Sequence, residues 1–225
     1  MTFAKFKKLA MISMEDICRE IFNENPDSIR IKKEHLVVKN LMTIFNATIK
    51  LSNAKGFHAM SLRDLGRESG LSLGCLYNYF ASKEELLTII QDQGRRIVAR
   101  LLDQSVDSAM HPKDKLEAVI RTHLYLSEVM QPWFFFSFME TRYFKKREYE
   151  KSIAGELKTE QRIIDILEAG RAQQVFNIDQ PMLTASVTKA MLQDWYLKRW
   201  KFRRQKITVE NYADFVIQFV DSAIM

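Results

Sequence analysis

The sequence of 225 residues predicts an all-α protein. Apolar residues recur at spacings of three and four along most of the chain, which is the period of an amphipathic helix. Only 7 glycines and 4 prolines interrupt the chain, so long helices with few breaks are favoured over many tight turns. No stretch of the sequence alternates apolar and polar residues as a half-buried strand does.

The composition is typical of a soluble globular protein with a sizeable core. Apolar residues make up 47% of the chain and charged residues 28%, and the length allows one or two domains. The net charge of +6 suits a polyanionic partner without requiring one. Neither the two cysteines, Cys18 and Cys75, nor the four histidines have the spacing of a disulfide scaffold or a zinc site. We therefore expect a cytoplasmic protein with no metal, cofactor, signal peptide or membrane span.

Residues 1–34 form an N-terminal extension ahead of the first strong helical pattern. A weak apolar repeat runs from Met14 to Phe22 and ends near Asn25–Pro26, and the charged segment RIKKEH follows. The extension is either an additional helix packed on the body of the protein or a mobile basic arm. The apolar repeat favours the packed helix.

A clear amphipathic helix is predicted from about His35 to Lys55, and Gly56 supplies its C-terminal stop. Ser61 is then a good N-cap, because the side chain of Asp64 can reach back to its amide. Gly70 lies where this second helix must end and reverse, a position that favours positive φ. Ser72 caps the next helix. Two short helices joined by a tight corner are a helix-turn-helix.

The second helix of this unit is predicted to direct an unusual set of side chains outward, because Leu76 and Phe80 face the first helix. Hydroxyl and amide groups on such a helix can bond phosphates or base edges in a major groove, and Leu73 can contact a thymine methyl. The alternative is that the tyrosines pack against the long helix beginning near Lys83. The outward residues are expected to be Leu73, Cys75, Tyr77, Asn78 and Tyr79.

Further helices follow to the end of the chain, nine or ten in all. Ser82 and Glu85 form a capping box, Pro112 suits a first helical turn, and Thr208 is an N-cap. The expected helices run from Ser82 to about Ser108, from Pro112 to about Met130, from Lys145 to about Gln173, from Pro181 to about Arg199–Lys201, and from Thr208 to Ile224.

The segment PWFFFSFMETRYF carries aromatic residues at nearly every position, so it must be buried on several sides. It is either plain core or the wall of an apolar ligand cavity, with methionines as adaptable lining. Nearby charged groups, Glu140 among them, could orient the polar end of a ligand. The candidate effector-binding residues are His123, Met130, Trp133, Phe134, Phe136, Phe138, Met139 and Arg142.

The block SLRDLGRESGLSLGCLYNYFASKEELL resembles the DNA-binding domain of the TetR family of bacterial transcriptional regulators. The resemblance covers about residues 35–90 and rests on Ser61, the corner Gly70-Leu71-Ser72, the segment from Gly74 to Phe80, and Lys83. It implies a homodimeric repressor, less often an activator, in which Tyr77, Lys83, Ser61 and Ser72 hold phosphates. The full set of expected DNA-binding residues is Ser61, Arg63, Ser72, Leu73, Cys75, Tyr77, Asn78, Tyr79 and Lys83.

Two departures from the family pattern affect the reading of bases. Leu73 stands where many members carry Lys, and Cys75 where Thr or Ser is common. Both changes remove a polar group that would reach into the groove. Direct readout is therefore expected to depend on Asn78, Ser72 and methyl contacts.

The last two long helices each repeat apolar residues at spacings of three and four. They either cap the core or, as the resemblance implies, form a four-helix dimer interface through Val187, Met191, Trp195, Tyr212, Phe215 and Phe219. The basic run LKRWKFRRQK, 197–206, is expected to be a solvated helix end, with an acidic ligand group or partner as the alternative.

The expected organisation is an extension (1–34), a three-helix helix-turn-helix domain (35–82) and a larger helical domain for effector binding and dimerisation (83–225). The expected function is a repressor that a hydrophobic small molecule, with acyl-type compounds among the candidates, releases from a palindromic operator in double-stranded DNA. In the alternative, the C-terminal domain recognises a protein partner and no small molecule. No residue pattern supports an enzyme, and only the phenylalanine cluster favours a membrane-surface protein.

Overall fold

The computed structural model describes residues 1–9, 14–24, 29, 31 and 33–224. The all-α prediction is confirmed, since every regular element within these ranges is helical. The α-helices are α1 (Phe3–Leu9), α2 (Met14–Glu24), α3 (Glu34–Lys55), α4 (Leu62–Ser69), α5 (Leu73–Leu76), α6 (Lys83–Gln104), α7 (Pro112–Val129), α8 (Gln131–Glu140), α9 (Lys146–Ala172), α10 (Pro181–Leu197), α11 (Arg199–Arg204) and α12 (Val209–Ile224), with a 3₁₀ turn at Thr141–Tyr143.

The described residues thus form twelve α-helices where nine or ten were expected. The short helix α1 was not predicted, and the aromatic segment forms α8 as a helix of its own. The helix expected to reach Arg199–Lys201 ends at Leu197 and restarts as α11. The predicted end of α2 at Asn25–Pro26 lies outside the described residues, as do Arg30 and Lys32 of the charged connector.

The chain forms two compact units. The N-terminal unit comprises Met11–Arg96 and Phe135–Tyr149, and the C-terminal unit comprises Met1–Ala10, Ile97–Phe134 and Glu150–Met225. Helices α6, α8 and α9 each contribute residues to both units. The boundary expected between residues 82 and 83 is a functional one and stays a prediction.

In the N-terminal unit, α3 is the central element. It packs against α2 on one side and against α4 on the other. Its buried face carries Val37, Leu41 and Ile44, spaced as a helical core face requires, and α2 contributes Cys18 and Ile21. This support holds the pair α4–α5 in place.

In the C-terminal unit, α7 is packed by α1, α10 and α12. The α1–α7 contact is aromatic, because the rings of Phe3 and Phe6 lie 5.3 and 5.5 Å from the ring of Tyr125. The Phe3 N–H also donates to Glu210 Oε1 over 2.9 Å. Both α1 and α2 are therefore packed helices, which is the favoured interpretation of the extension.

Within the described part of the chain, no helix combines the length and the apolar character that crossing a membrane requires. In the same residues, no group of three or more His, Cys, Asp or Glu side chains is arranged to hold a metal ion.

Candidate functional site

The start of α4 is fixed by a complete capping box. Ser61 Oγ accepts from the Asp64 N–H over 3.1 Å, and the Asp64 carboxylate accepts from the Ser61 N–H over 3.0 Å. A hydrogen bond from Lys55, followed by those from Ser61, holds the pKa of Asp64 well below its usual range. The predicted cap is present, and its ion pair with Lys55 joins α4 to the end of α3.

The corner between α4 and α5 depends on two glycines. Gly70 has φ +69° in the left-handed region, as its position after the last helical turn predicted. A Cβ on Gly66 would lie 2.9 Å from the carbonyl oxygen of Leu71, so a side chain there would push the two helices apart. The Leu71 N–H donates to the Gly66 carbonyl and closes the corner.

Helix α5 is short and half-exposed. Ser72 caps it by accepting from the Cys75 N–H over 3.1 Å. Leu76 is fully buried beneath it, whereas Leu73 is 38% and Tyr77 47% exposed. Cys75 and Asn78 are partly exposed, and Ser61, Arg63 and Ser72 are exposed. The protein thus presents a small face of hydroxyl, amide and apolar groups on a rigid support.

Tyr79 does not belong to this face, and its predicted outward direction is wrong. The side chain is fully buried, and its hydroxyl oxygen accepts from Asn40 Nδ2 over 2.7 Å. The reason is local: α5 ends at Leu76, and the turn that follows directs both Tyr79 and Phe80 into the core. Tyr79 therefore holds the turn against α3 and has no access to DNA.

The ammonium group of Lys83 is hydrogen-bonded to other parts of the protein. It donates to the backbone carbonyls of Phe57, His58 and Met60 over 2.9–3.1 Å and lies 5.0 Å from the centre of the Phe57 ring. These three bonds use all the protons that an ammonium can donate. A phosphate contact of Lys83 is therefore left to its backbone amide at the N-terminus of α6, and that contact stays a prediction.

The loop that Lys83 holds is also held by α8. Glu140 is buried and accepts a hydrogen bond from the Phe57 N–H, and burial raises the pKa of its carboxyl group. The Phe57 and Phe136 rings lie 6.0 Å apart. The loop between α3 and α4 is consequently fixed by both α6 and α8 inside the N-terminal unit.

The predicted effector-binding residues are divided between the two units. Phe136, Phe138, Met139 and Arg142 lie in the N-terminal unit, and the other four lie in the C-terminal unit. The aromatic segment is buried in part, because Phe134 and Phe136 are buried whereas Phe138 and Met139 are 46% and 40% exposed. The guanidinium of Arg142 stacks on the exposed Tyr143.

The C-terminal unit keeps an aromatic cluster around His123. The Phe134 ring lies 5.6 Å from the His123 ring, and it also contacts Trp133 at 5.2 Å and Tyr196 at 5.1 Å. Met130 is half-buried directly before α8. This is the part of the predicted ligand wall that the structure brings together.

A buried charged group that was not among the predicted site residues lies next to this cluster. Lys189 is 4% exposed; its Nζ lies 3.3 Å from His123 Nε2 and 3.3 Å from Glu156 Oε1. Burial, then the nearby positive charge of Lys189, hold the pKa of His123 well below its usual range. The available signal was a single lysine on the apolar face of PMLTASVTKAMLQDW.

Two family models match the chain. One describes bacterial regulatory proteins of the tetR family and matches residues 44–88; the other describes a tetracyclin repressor-like C-terminal domain and matches residues 109–220. The chain belongs to the TetR family. The first match contains α4 and α5, and the second contains the His123–Lys189 cluster.

Curated relatives of this TetR-family protein come from Bacillus subtilis (strain 168). The uncharacterized regulator YxaF is 32% identical over 79 residues, covering 35% of this chain and 41% of its own length. The regulator PksA is 29% identical over 107 residues, which cover 44% of this chain and 50% of PksA. The fatty acid metabolism regulator protein is 24% identical over 86 residues, which cover 38% of this chain and 44% of that protein. The matches thus span half or less of these relatives, which are transcriptional regulators.

Solved structures of transcriptional regulators share the fold. The regulator PfmR from Thermus thermophilus is 25% identical with a TM-score of 0.66, covering 79% of this chain and 94% of its own. A ketosteroid transcriptional regulator of Mycobacterium tuberculosis has a TM-score of 0.73 at 17% identity (82% and 94%). FadR from Bacillus subtilis, solved in complex with stearoyl-CoA, has a TM-score of 0.63 at 20% identity (82% and 99%).

The last two long helices of this TetR-family protein present an exposed apolar surface. Val187 on α10 is 57% exposed, and Phe215 and Phe219 on α12 are 62% and 50% exposed. Met182 and Leu183, which were not among the predicted interface residues, are similarly exposed. Monomeric proteins seldom expose large apolar side chains in such a group, so a partner surface is indicated.

Trp195 does not belong to this surface, and its assignment to a dimer interface is wrong. It is fully buried, stacks on Phe202 and Tyr212, and donates from Nε1 to Glu128 over 3.0 Å. Tyr212 is half-buried and donates from its hydroxyl to the Met191 carbonyl. These contacts join α10, α11 and α12 within one chain.

Three of the six basic residues in the run 197–206 form ion pairs within the unit. Lys198 and Lys201 contact Asp194, and Arg199 contacts Glu128. Arg204 lies over the exposed ring of Trp200. These contacts agree with a solvated helix end.

Proposed function

We propose that this protein is a ligand-responsive repressor that binds a palindromic operator as a homodimer and leaves it when a hydrophobic, acyl-type small molecule binds the C-terminal unit. The observation that carries the proposal is the exposed face of α5. A helix of four residues cannot be stable alone. This one is capped by Ser72, follows a corner that contains a glycine, and is anchored in the core by Leu76 and the following Tyr79. Such a support suits a helix that must fit a groove rigidly.

The chemistry of this face suits duplex DNA. Ser72 and Tyr77 offer hydroxyl groups for phosphate oxygens, which position a protein on DNA without reading sequence. The Ser61 hydroxyl donates to Asp64 Oδ2 over 2.7 Å, so a phosphate contact of Ser61 is left to its position at the start of α4. Leu73 offers an apolar contact for a thymine methyl, and Asn78 offers an amide that can bond a base edge. The exposed guanidinium of Arg63 adds positive charge on α4.

The exposed surface of α10 and α12 supports a dimer. An interface with two-fold symmetry places the same patch of each protomer against its copy, and Phe215, Phe219 and Val187 supply the apolar centre that such an interface needs. Two copies of α5 would then read two half-sites related by the same two-fold axis.

An acyl-type effector is supported by the aromatic cluster of Trp133, Phe134 and Tyr196, which gives an apolar wall beside the polar His123. The stearoyl-CoA complex of a regulator with the same fold, and the similarity to a fatty acid metabolism regulator protein, point to the same ligand class. An effector can release DNA only if it binds one conformation more tightly than the other. Helix α6, which has residues in both units, is the element that we expect it to shift.

The test begins with selection of binding sites from random duplexes by the purified protein. We expect enrichment of a palindrome with half-sites about one helical turn or more apart. Bound duplex is then titrated with stearoyl-CoA, and with coenzyme A as the matched control without the acyl chain. Release by stearoyl-CoA alone is the expected result. Enrichment of no sequence contradicts the DNA part of the proposal, and release by neither compound contradicts the acyl part and favours a protein partner.

A further inference from the structure

His123 carries a buried polar atom that nothing in the described part of the chain bonds. The side chain is 2% exposed and its Nδ1 has no hydrogen-bond partner among the described residues. Leaving a buried donor or acceptor unpaired carries a desolvation penalty that no bond offsets. We therefore expect this unpaired atom, which lies beside an aromatic cluster, to have a function.

The contact with Lys189 determines whether His123 Nδ1 is a hydrogen-bond donor or an acceptor. Burial lowers the pKa of Lys189, and the Glu156 carboxylate at 3.3 Å opposes this effect by favouring the ammonium form, which can only donate. His123 Nε2, 3.3 Å from Nζ, must then accept. A neutral imidazole that accepts at Nε2 carries its proton on Nδ1, so the unpaired atom is an N–H donor. The lowered pKa of His123 agrees with a neutral ring.

We infer that His123 Nδ1–H is the hydrogen-bond donor for the polar end of the effector, and that this end is an acceptor such as the carbonyl oxygen of an ester, a thioester or a carboxylate. The inference rests on the proposed function and specifies its ligand. Phe134, in contact with His123 and Tyr196, supplies the apolar surface next to the donor. Lys189 is a positioning residue, because it acts by fixing the tautomer of His123.

A site built around a donor discriminates strongly by head group. A ligand with an acceptor gains a bond to a donor already desolvated, whereas a ligand without one leaves that donor unpaired. A cationic head would in addition lie near the buried charge of Lys189. The site should therefore reject an alkylammonium compound of the same chain length.

The first experiment measures the tautomer directly in the full-length protein, by the ¹⁵N shifts of its histidine rings. The signal of His123 is identified by its loss in His123→Phe, or by its failure to titrate near neutral pH if that variant does not fold. We expect a proton on Nδ1 in the free protein. A proton on Nε2 overturns the inference. In Lys189→Met, we expect the proton of His123 to be distributed over both ring nitrogens. Lys198 is paired on the surface of the same region, so Lys198→Met is expected to leave the proton on Nδ1.

The second experiment titrates the protein with methyl decanoate, decanoate and decylammonium by calorimetry. We expect both acceptor-headed compounds to bind at least about tenfold more tightly than decylammonium. His123→Phe should remove most of this preference, and His123→Asn, which keeps an amide donor near the position of Nδ1, should restore part of it. Equal binding of all three compounds by the wild-type protein overturns the inference.

The outcomes separate this inference from the proposed function. Release of operator DNA by stearoyl-CoA together with equal binding of the three probes leaves the proposed function standing and overturns only the role of His123. Binding of none of the probes, with no release by stearoyl-CoA, overturns both. A preference for acceptor heads that persists unchanged in His123→Phe assigns the donor to another residue and overturns the inference alone.

Discussion

Tyr77 and Tyr79 lie two residues apart and have opposite environments, since Tyr77 is 47% exposed and Tyr79 is fully buried. Burial removes Tyr79 from any contact with DNA and makes it part of the support for α5. A tyrosine whose hydroxyl oxygen is bonded to Asn40 contributes both packing and a hydrogen bond to that support. The two tyrosines therefore allow DNA contact and structural support to be separated by mutation.

Tyr77→Ala is expected to lower affinity about tenfold for operator and unrelated duplexes alike, because a phosphate contact carries no sequence information. Asn78→Ala is expected to lower operator affinity and also to relax the selected sequence. Fluorescence anisotropy with operator and scrambled duplexes measures both effects. Tyr79→Phe serves as the control: it should cost about 1 kcal/mol of unfolding free energy in urea and leave affinity near the wild-type value. Negligible effects of both Tyr77→Ala and Asn78→Ala would contradict the assignment of this face.

The two cysteines provide a second test at the same scale. Burial raises the pKa of the Cys18 thiol to about 12, so very little thiolate exists at pH 8. Cys75 is only partly buried, on α5. We expect a maleimide to label Cys75 in the folded protein and to label Cys18 only on unfolding.

Operator DNA should slow the labelling of Cys75 severalfold, since α5 would be covered, while Cys18 remains the internal control. Mass spectrometry of timed samples measures both rates. Rates at Cys75 that do not respond to a saturating operator duplex would place α5 outside the DNA interface.

At this scale the sequence predicted the residues whose role is set by their immediate neighbours. Ser61 and Ser72 are N-caps and Gly70 has positive φ, because capping and backbone conformation depend on a few adjacent residues. Tyr79 was misassigned because α5 ends at Leu76 and the turn that follows directs the side chain into the core. Trp195 was misassigned because its burial depends on packing against residues distant in the sequence, such as Glu128. Lys189 was missed for the same reason, since only packing of α10 against α7 shows that its charge is buried beside His123.

At the scale of elements, the loop between α3 and α4 is held from two directions. Lys83 at the start of α6 bonds three of its carbonyls, and Glu140 at the end of α8 accepts from its Phe57 N–H. A loop held in this way behaves as a rigid connection, so a shift of either helix is transmitted to the start of α4. These hydrogen bonds explain the presence of a lysine at position 83 without any contact between its side chain and DNA.

Lys83→Met is therefore expected to lower the unfolding free energy by about 1–2 kcal/mol, because three carbonyls lose a charged donor that is only partly buried. The salt dependence of DNA affinity should keep its slope, since the ammonium neutralises no phosphate. Arg63→Met is the matched comparison and should reduce that slope by about one while leaving stability nearly unchanged. A reduced slope for Lys83→Met would show that the side chain leaves the loop to contact DNA.

Helix ends were predictable where the signal is local. Gly56 stops α3, Pro112 begins α7, and Thr208 precedes α12, and each boundary lies within one or two residues of its expected place. The break at Lys198 was not predictable. Phe202 on α11 stacks on Trp195 of α10 after this break, and that contact is visible only once the helices are packed.

At the scale of the whole molecule, the exposed apolar residues of α10 and α12 are the feature that a single chain leaves unexplained. Phe215 and Phe219 stack on each other at 6.4 Å on the outer face of α12, and Val187 is exposed on α10. Burying several such side chains between two copies would stabilise a dimer by about 25 cal/mol for each Å² of apolar surface removed from water, before the costs of association. Without the dimer, each protomer would present one copy of α5 and would read one half-site.

Phe215→Arg is expected to weaken the dimer at least tenfold, because two like charges would meet near a two-fold axis in place of two apolar rings. Sedimentation velocity over a range of concentrations measures this shift. The folded protomer should keep its melting temperature at low concentration, since Phe215 is 62% exposed and supports little within its own chain. Tyr143→Arg, a change at a residue that is 55% exposed in the N-terminal unit, is the control and should leave the dimer intact.

The loss of dimers in Phe215→Arg should also lower operator affinity. Affinity should then depend steeply on protein concentration, because separate protomers bind the two half-sites. A monomeric wild-type protein, or a Phe215→Arg variant that sediments as the wild type does, would remove this surface from the DNA-binding mechanism.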